Sequence, residues 1–354
     1  MSKNLESFDD WITQPLMPVD PEPMQEAAIA GATDFDPLGY DRYVVAFSGG
    51  KDSLALLLHL LDLGVSRDRI ELHHHLVDGR EGSTLMDWPI TESYCEAVAQ
   101  AFGVRVTYSW REGGIEREML RDGTATAPVW FPAPGGGHMR LGGEGPAGTR
   151  RKFPQVSASL STRWCSAAAK IDVFARYLNN HPVFCEGKTL VLTGERAQES
   201  RARANYRSFE PHRCDNREGR KVRRHIDLWR AVHAWSEHEV WELIRKWRVC
   251  PHPSYWLSWG RTSCRTCIFG SKHQWATIRA IAPEQFESIA TYEREFGVTI
   301  HRTKPVTVLA NEGTPYECDP FWVDLANSRQ FDRPVFMDPW VLPPGAFGES
   351  CGPT

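Results

Sequence analysis

The chain has 354 residues, 41% hydrophobic and 24% charged, with a formal net charge of -4. That length allows one elaborated domain or two with a sizeable core, and the acidic balance excludes a general nucleic-acid coat while leaving room for a local basic groove. Nine cysteines, an odd number without an export signal, point to metal or redox chemistry rather than a disulfide framework, and the chain reads as cytoplasmic with no membrane partner.

Residues 1–38 read as an acidic arm carrying Pro15, Pro18, Pro21 and Pro23 and a few apolar anchors in Phe8, Trp11 and Ile12. Tyr43 to Phe47 is a β-branched and aromatic run, Ser48-Gly49-Gly50-Lys51-Asp52-Ser53 a tight turn, and Leu54 to Leu61 a leucine-rich run. Together they predict strand, loop and helix. Such a junction is an anion cradle, because its glycines permit close backbone approach and the first helical N–H groups are unpaired by construction. Lys51 adds a full charge to the fraction of a charge that a helix terminus supplies. The spacing is not that of a Walker A loop, since Lys51 follows the second glycine directly.

Ile70 to Gly79 predicts a second strand whose end, Val77 and Asp78, faces the same crevice as Lys51. His73 and His75 share one face of it and His74 the other, so the triple reads as strand histidines satisfied by neighbours rather than as a metal cluster. Ile90 to Phe102 predicts a helix and Val104 to Trp110 a third strand, continuing a βα alternation. From Gly113 to Phe153 a Gly-rich insert carries Arg140, Arg150, Arg151 and Lys152, a composition that suits either a flap over a nucleotide or nucleic acid, or a plain insertion. A helix through Leu178 and a buried strand over Thr189 to Gly194 follow. Arg196, Glu199 and Arg203 would then share a helix face at i, i+3 and i+7, with Glu199 orienting both guanidiniums on a phosphate. The run Arg207 to Arg224 is locally basic and suits a phosphate backbone, or a charged surface loop. Ser236 and Glu239 form a capping box for a helix whose apolar face is core. Helices are expected over Lys272–Ile281 and Pro283–Phe296, and an irregular tail from Thr303. The organisation expected is therefore an α/β body over 39–235, a helical cysteine-bearing subdomain over 236–302 and the tail.

Cys264 and Cys267 stand at the spacing that lets two thiolates reach one metal. The loop Ser48 to Ser53 resembles the PP-loop of the ATP pyrophosphatases. The wider pattern resembles the PAPS reductase-like branch of that superfamily: Arg163-Trp164-Cys165 with Lys170, Glu195-Arg196 with Glu199 to Ala202, Trp235-Ser236 with Val240-Trp241, and Pro253-Ser254-Tyr255 leading through Arg261 to Cys264, Cys267 and Phe269. The resemblance covers roughly 43–269. It implies a doubly wound, mostly parallel sheet of the HUP type with flanking helices. It also implies that Ser48, Gly49, Gly50, Lys51, Asp52 and Ser53 hold ATP with Mg²⁺, that Val77, Asp78 and Gly194 border it, and that Lys51, Asp52, Arg196 and Arg203 serve catalysis. Cys165, Cys264 and Cys267 match the ligands of a [4Fe–4S] cluster, with Cys250 as the candidate fourth, because Ser166 stands where cluster-bearing members have a second cysteine. Zinc, with His252 or His273, is the alternative metal.

Two catalytic readings follow. One is adenylation of an acceptor, nucleic acid included, with release of pyrophosphate and sulfur delivered by a donor protein, as in DNA-phosphorothioation ATP pyrophosphatases. The other is a sulfonucleotide reductase using Cys351, whose Glu349-Ser350-Cys351-Gly352 setting lacks that family's histidine. The intact Lys51-Asp52 pair favours the first. A nucleotide-sensing or DNA-recognition subunit without catalysis is the third reading.

Overall fold

The computed structural model describes residues 35–157 and 161–348; the acidic arm up to residue 34 and Cys351 lie outside the described residues. Strands β1 (Arg42–Ala46), β2 (Ile70–His75), β3 (Arg105–Arg111), β4 (Val129–Pro132), β5 (His138–Leu141), β6 (Lys188–Leu192), β7 (Phe209–Pro211) and β8 (His225–Trp229) form one sheet in the order β5-β4-β3-β2-β1-β6-β8-β7. The central strands β3, β2, β1, β6 and β8 run parallel, while β4, β5 and β7 pair antiparallel at the edges. Helices α1 (Lys51–Asp62), α2 (Thr91–Phe102), α3 (Gly114–Leu120), α4 (Trp164–Ser166), α5 (Asp172–Asn180), α6 (Arg201–Ala204), α7 (Glu237–Lys246), α8 (Pro253–Trp256), α9 (Lys272–Ile281), α10 (Pro283–Phe296), α11 (Val306–Glu312) and α12 (Pro320–Asn327) complete a mostly parallel sheet flanked by helices.

Both faces of the parallel strands are covered, which is why β1 and β6 read as continuous apolar runs rather than as alternating ones. On one face Leu54, Leu57 and Leu58 of α1, Tyr94 and Val98 of α2, and Val240 and Ile244 of α7 pack on Val45, Leu72 and Leu190. On the other, Phe174, Tyr177 and Leu178 of α5 cover Val44 and Val191. The Ser236–Glu239 capping box forms as its sequence implies. Because β1 has β2 on one side and β6 on the other, the chain reverses its winding there, and the loop after β1 opens onto the crevice at the strands' carboxyl ends.

Two expectations are corrected, and the Gly-rich insert takes a defined form. The Gly-rich insert folds into α3 and the β4–β5 hairpin, which extends the sheet through Trp110 stacked on Trp130. Its glycines serve turns, and its Arg140 is tied to Glu112 at 2.8 Å. The segment beyond Thr303 is not irregular throughout, for α11 and α12 bury Val306, Leu309, Leu325 and Ala326 against Trp275, Ile278 and Ile289. Prolines at the starts of these short helices disguise their periodicity. Finally, Arg196, Glu199 and Arg203 do not share one helix, because Ser200 is extended (φ -169°, ψ 156°) and separates a single 3-10 turn over Ala197–Glu199 from α6.

No helix among the described residues is long and apolar enough to cross a membrane.

Candidate active site

The Ser48–Ser53 loop is held by its own side chains. Gly49 has φ +76°, and a Cβ there would lie 3.3 Å from the Tyr94 ring and 3.4 Å from the Cys95 sulfur, so conformation and space both demand glycine. Ser53 Oγ accepts from the Ser48 N–H at 3.2 Å and donates to the Gly50 carbonyl at 2.9 Å, while Ser48 Oγ accepts from the Gly50 N–H at 3.3 Å. The Tyr255 hydroxyl accepts from the Lys51 N–H at 2.9 Å. Hydroxyl oxygens thus take the places an oxyanion would take, at the N-terminus of a twelve-residue helix.

The loop opens on a cavity of about 970 Å³. Ser48, Gly50, Asp52 and Ser53 form one wall, and the carboxyl ends of β2 and β6 contribute His74, His75, Val77, Thr193 and Gly194. Gly194 is needed there, since a Cβ would stand 3.1 Å from the Asp52 backbone. Positive charge comes from Arg163, Lys170, Arg201, Arg203 and Arg261, against Asp87, Glu195 and Glu199, and Cys264 also lines the cavity. The volume suits a nucleotide-sized ligand.

Several expected residues act at one remove. The Lys51 ammonium is buried, 3.2 Å from Asp52, 3.4 Å from Glu237 and 3.4 Å from the Gly260 carbonyl. Burial pulls its pKa down, but Asp52, Tyr255 and Glu237 outweigh that and raise it. Arg196 is also buried and donates to Asp52 at 2.6 Å, so the two cations fix the Asp52 carboxylate and lower its pKa against the cost of burial. Arg203 does line the cavity, paired with Glu199 as expected. Asp78 does not face the crevice. Its carboxylate turns to the backbone N–H groups of Met86 and Asp87 at 2.8–3.1 Å, and burial pushes its pKa up to about 7.

The four expected metal ligands are only partly brought together. Cys165, Cys264 and Cys267 share one electrostatic neighbourhood: burial, then the Cys267 thiol, raises the pKa of Cys165 against Lys170, and burial with Asp87, Cys267 and Cys165 raises that of Cys264 against Lys170. Cys250 stands apart, its sulfur 3.6 Å from the Pro251 carbonyl, with burial pushing its thiol up to about 12. Among the described residues no three ligating side chains are gathered as a metal requires. The arrangement therefore does not close a four-cysteine centre.

No family model matches the chain. It is 25% identical over 267 residues, 71% of this chain and 74% of the relative, to an uncharacterized 37.8 kDa protein in the gpa 5' region of Escherichia phage 186. That name records a size and a gene position.

Residue-by-residue reading missed Asp87, His74 and His75 as cavity residues. Asp87 sits at the turn before α2, where Trp88 and Thr91 bond its carboxylate, and only the fold of that turn brings it to the crevice. His74 donates from Nδ1 to the Phe47 carbonyl at 2.8 Å, which leaves Nε2 buried without a hydrogen-bond partner among the described residues.

Proposed function

We propose that this chain is an ATP pyrophosphatase of the PP-loop, PAPS reductase-like kind, in which an acceptor attacks the α-phosphorus of ATP and pyrophosphate leaves. One observation carries the reading: the Ser48–Ser53 cradle, the Arg203 guanidinium and the Cys264 thiol line the same cavity. Loop N–H groups and the α1 terminus would take the terminal phosphates in place of the serine hydroxyls, Mg²⁺ arriving with the nucleotide would neutralise them, and Arg203 would follow charge onto the leaving group. Val77 and Gly194 would border the nucleoside. Asp52, locked by Lys51 and Arg196, would position the loop rather than touch the phosphates. Cys264 offers a thiol beside the reacting end, which fits a sulfur-transfer outcome with a donor protein. Arg201, Arg203 and Tyr206 at the cavity lead into the basic stretch 207–224, which fits an anionic acceptor such as nucleic acid.

Anaerobic protein offered ATP, adenosine phosphosulfate and its 3'-phosphorylated form side by side tests the reading. Pyrophosphate from ATP is expected. With a dithiol supplied as reductant, sulfite from either sulfonucleotide, lost in Cys351→Ser, would replace this function by the reductase, and no binding of any of the three nucleotides would remove it.

A further inference from the structure

The face that Glu71, His73 and His75 share on β2 lies beside Thr107 and Ser109 of β3, because the parallel register pairs His73 with Thr107 and His75 with Ser109. These side chains form one unbroken hydrogen-bonded file. Thr107 Oγ1 donates to Glu71 Oε1 at 2.6 Å, and the Tyr177 hydroxyl donates to the same oxygen at 2.8 Å. Having given its proton away, Thr107 must accept from His73 Nδ1 at 2.7 Å. A neutral His73 then has only a lone pair at Nε2, so the Ser109 hydroxyl donates to it at 2.8 Å. Ser109 in turn accepts from His75 Nδ1 at 3.0 Å. One carboxylate thereby dictates the tautomer of both imidazoles. His75 is left with a lone pair on Nε2, for which no hydrogen bond is found among the described residues, on a ring that lines the cavity.

We propose that His75 Nε2 is the proton acceptor of the cavity and that the file Ser109, His73, Thr107, Glu71 holds it in the accepting tautomer. The reaction it serves rests on the adenylyl-transfer reading above; the tautomer rests on the hydrogen bonds alone. As the acceptor's heteroatom bonds to the α-phosphorus, its proton passes to His75 Nε2. The bridging P–O bond breaks, and its electron pair leaves on pyrophosphate. The new imidazolium charge is shared as the Nδ1 proton and those behind it shift toward Glu71, and the proton is returned to solvent when products leave.

The surroundings set the resting charge of the file. Burial lowers the pKa of both His73 and His75, with His73, His74 and Lys170 adding to the effect at His75, so both imidazoles are neutral at rest. Burial pushes the Glu71 carboxyl up, but the nearby His73 and the donated Thr107 and Tyr177 hydroxyls outweigh it and hold it at about 2, so the file ends on a negative charge. Phe174 and Tyr177 stack on His73 at 5.1 and 4.6 Å and fix its ring.

The test is histidine side-chain ¹⁵N NMR on the whole nucleotide-free protein, with His75 assigned by the signal missing in His75→Asn, beside pyrophosphate-release kinetics. Wild-type His75 is expected protonated at Nδ1 and bare at Nε2. Ser109→Ala cuts the file, and His75 should then drift to the Nε2-protonated form that free imidazoles prefer. Its kcat should fall about 10–100-fold with KM for ATP nearly unchanged, and His75→Asn should lose about 10²–10⁴-fold. A wild-type His75 protonated at Nε2, or a Ser109→Ala defect confined to KM, overturns the proposal. A wild type that releases no pyrophosphate overturns the adenylyl-transfer reading instead, and the tautomer still decides the file.

Discussion

At the loop end of the cavity, residues five apart in the chain hold one another: Ser48 and Ser53 close the turn that α1 then extends. At the thiol end, Cys165 and Cys264 come from segments about a hundred residues apart, and Cys250 stays outside the group. What joins that end is a scaffold around the thiols. Thr266, between Cys264 and Cys267, donates to the Leu85 carbonyl at 2.7 Å, and Arg265 reaches Gln285 and Asn327. A turn closed by residues a few positions apart is complete in itself, whereas a cluster assembled from distant segments is only as well formed as the packing between them.

The sharpest way to break the comparison is at Gly49. Gly49→Val forces a β-branched residue into a left-handed backbone and against Tyr94, Cys95 and His252. Strain and overpacking should together cost about 5 kcal/mol. ATP affinity should fall by about 100-fold or more, which calorimetry on the folded fraction would read. Wild-type affinity in this variant would mean that the loop is not the nucleotide site.

Asp78 tests the thiol end, since the Met86–Asp87 turn it binds is the turn that receives Thr266. Its pKa is raised in the fold from 3.8 to about 7, chiefly by burial, so the folded state prefers the protonated acid. Stability from this group is full below pH 3.8 and declines as pH rises toward 7, by up to about 4 kcal/mol at 1.36 kcal/mol per unit. Asp78→Asn, neutral at every pH, should match wild type near pH 4 and exceed its Tm near pH 8, with ATP affinity unaltered. A difference that widens toward low pH would contradict this sign.

These contrasts also explain what could be read in the chain. The αβ alternation was legible because β1, β6 and α1 are long apolar runs with glycine between them, and the Ser236 capping box announces α7 locally. The loop was legible for the same reason. The file from Glu71 to His75 was half legible: alternation places three residues on one face of β2, but only the register with β3 supplies Thr107 and Ser109 between them. Asp78 and Asp87 are nine residues apart on one connection, and which of them meets the cavity depends on a backbone turn that composition does not encode. The helices of the tail were hidden because their few apolar residues find their partners on α9 and α10.

The smallest effects separate Lys51 from Arg203, two cations that sequence alone assigns to the same phosphates. Lys51 is buried between two carboxylates and the Gly260 carbonyl, while Arg203 is part-exposed on the cavity wall with Glu199. Lys51→Met removes a buried ion-pair member, but Asp52 keeps Arg196, so the loss should be about 2–3 kcal/mol, below the usual cost of stranding a buried charge. That loss appears in the denaturation midpoint, and ATP affinity falls only as far as the loop loosens. Arg203→Ala should leave the midpoint within about 0.5 kcal/mol and weaken ATP about tenfold, one charge-assisted contact to phosphate. The reverse pattern, a stable Lys51→Met that no longer binds ATP, would mean that the ammonium leaves Glu237 and swings onto the phosphates when the nucleotide enters.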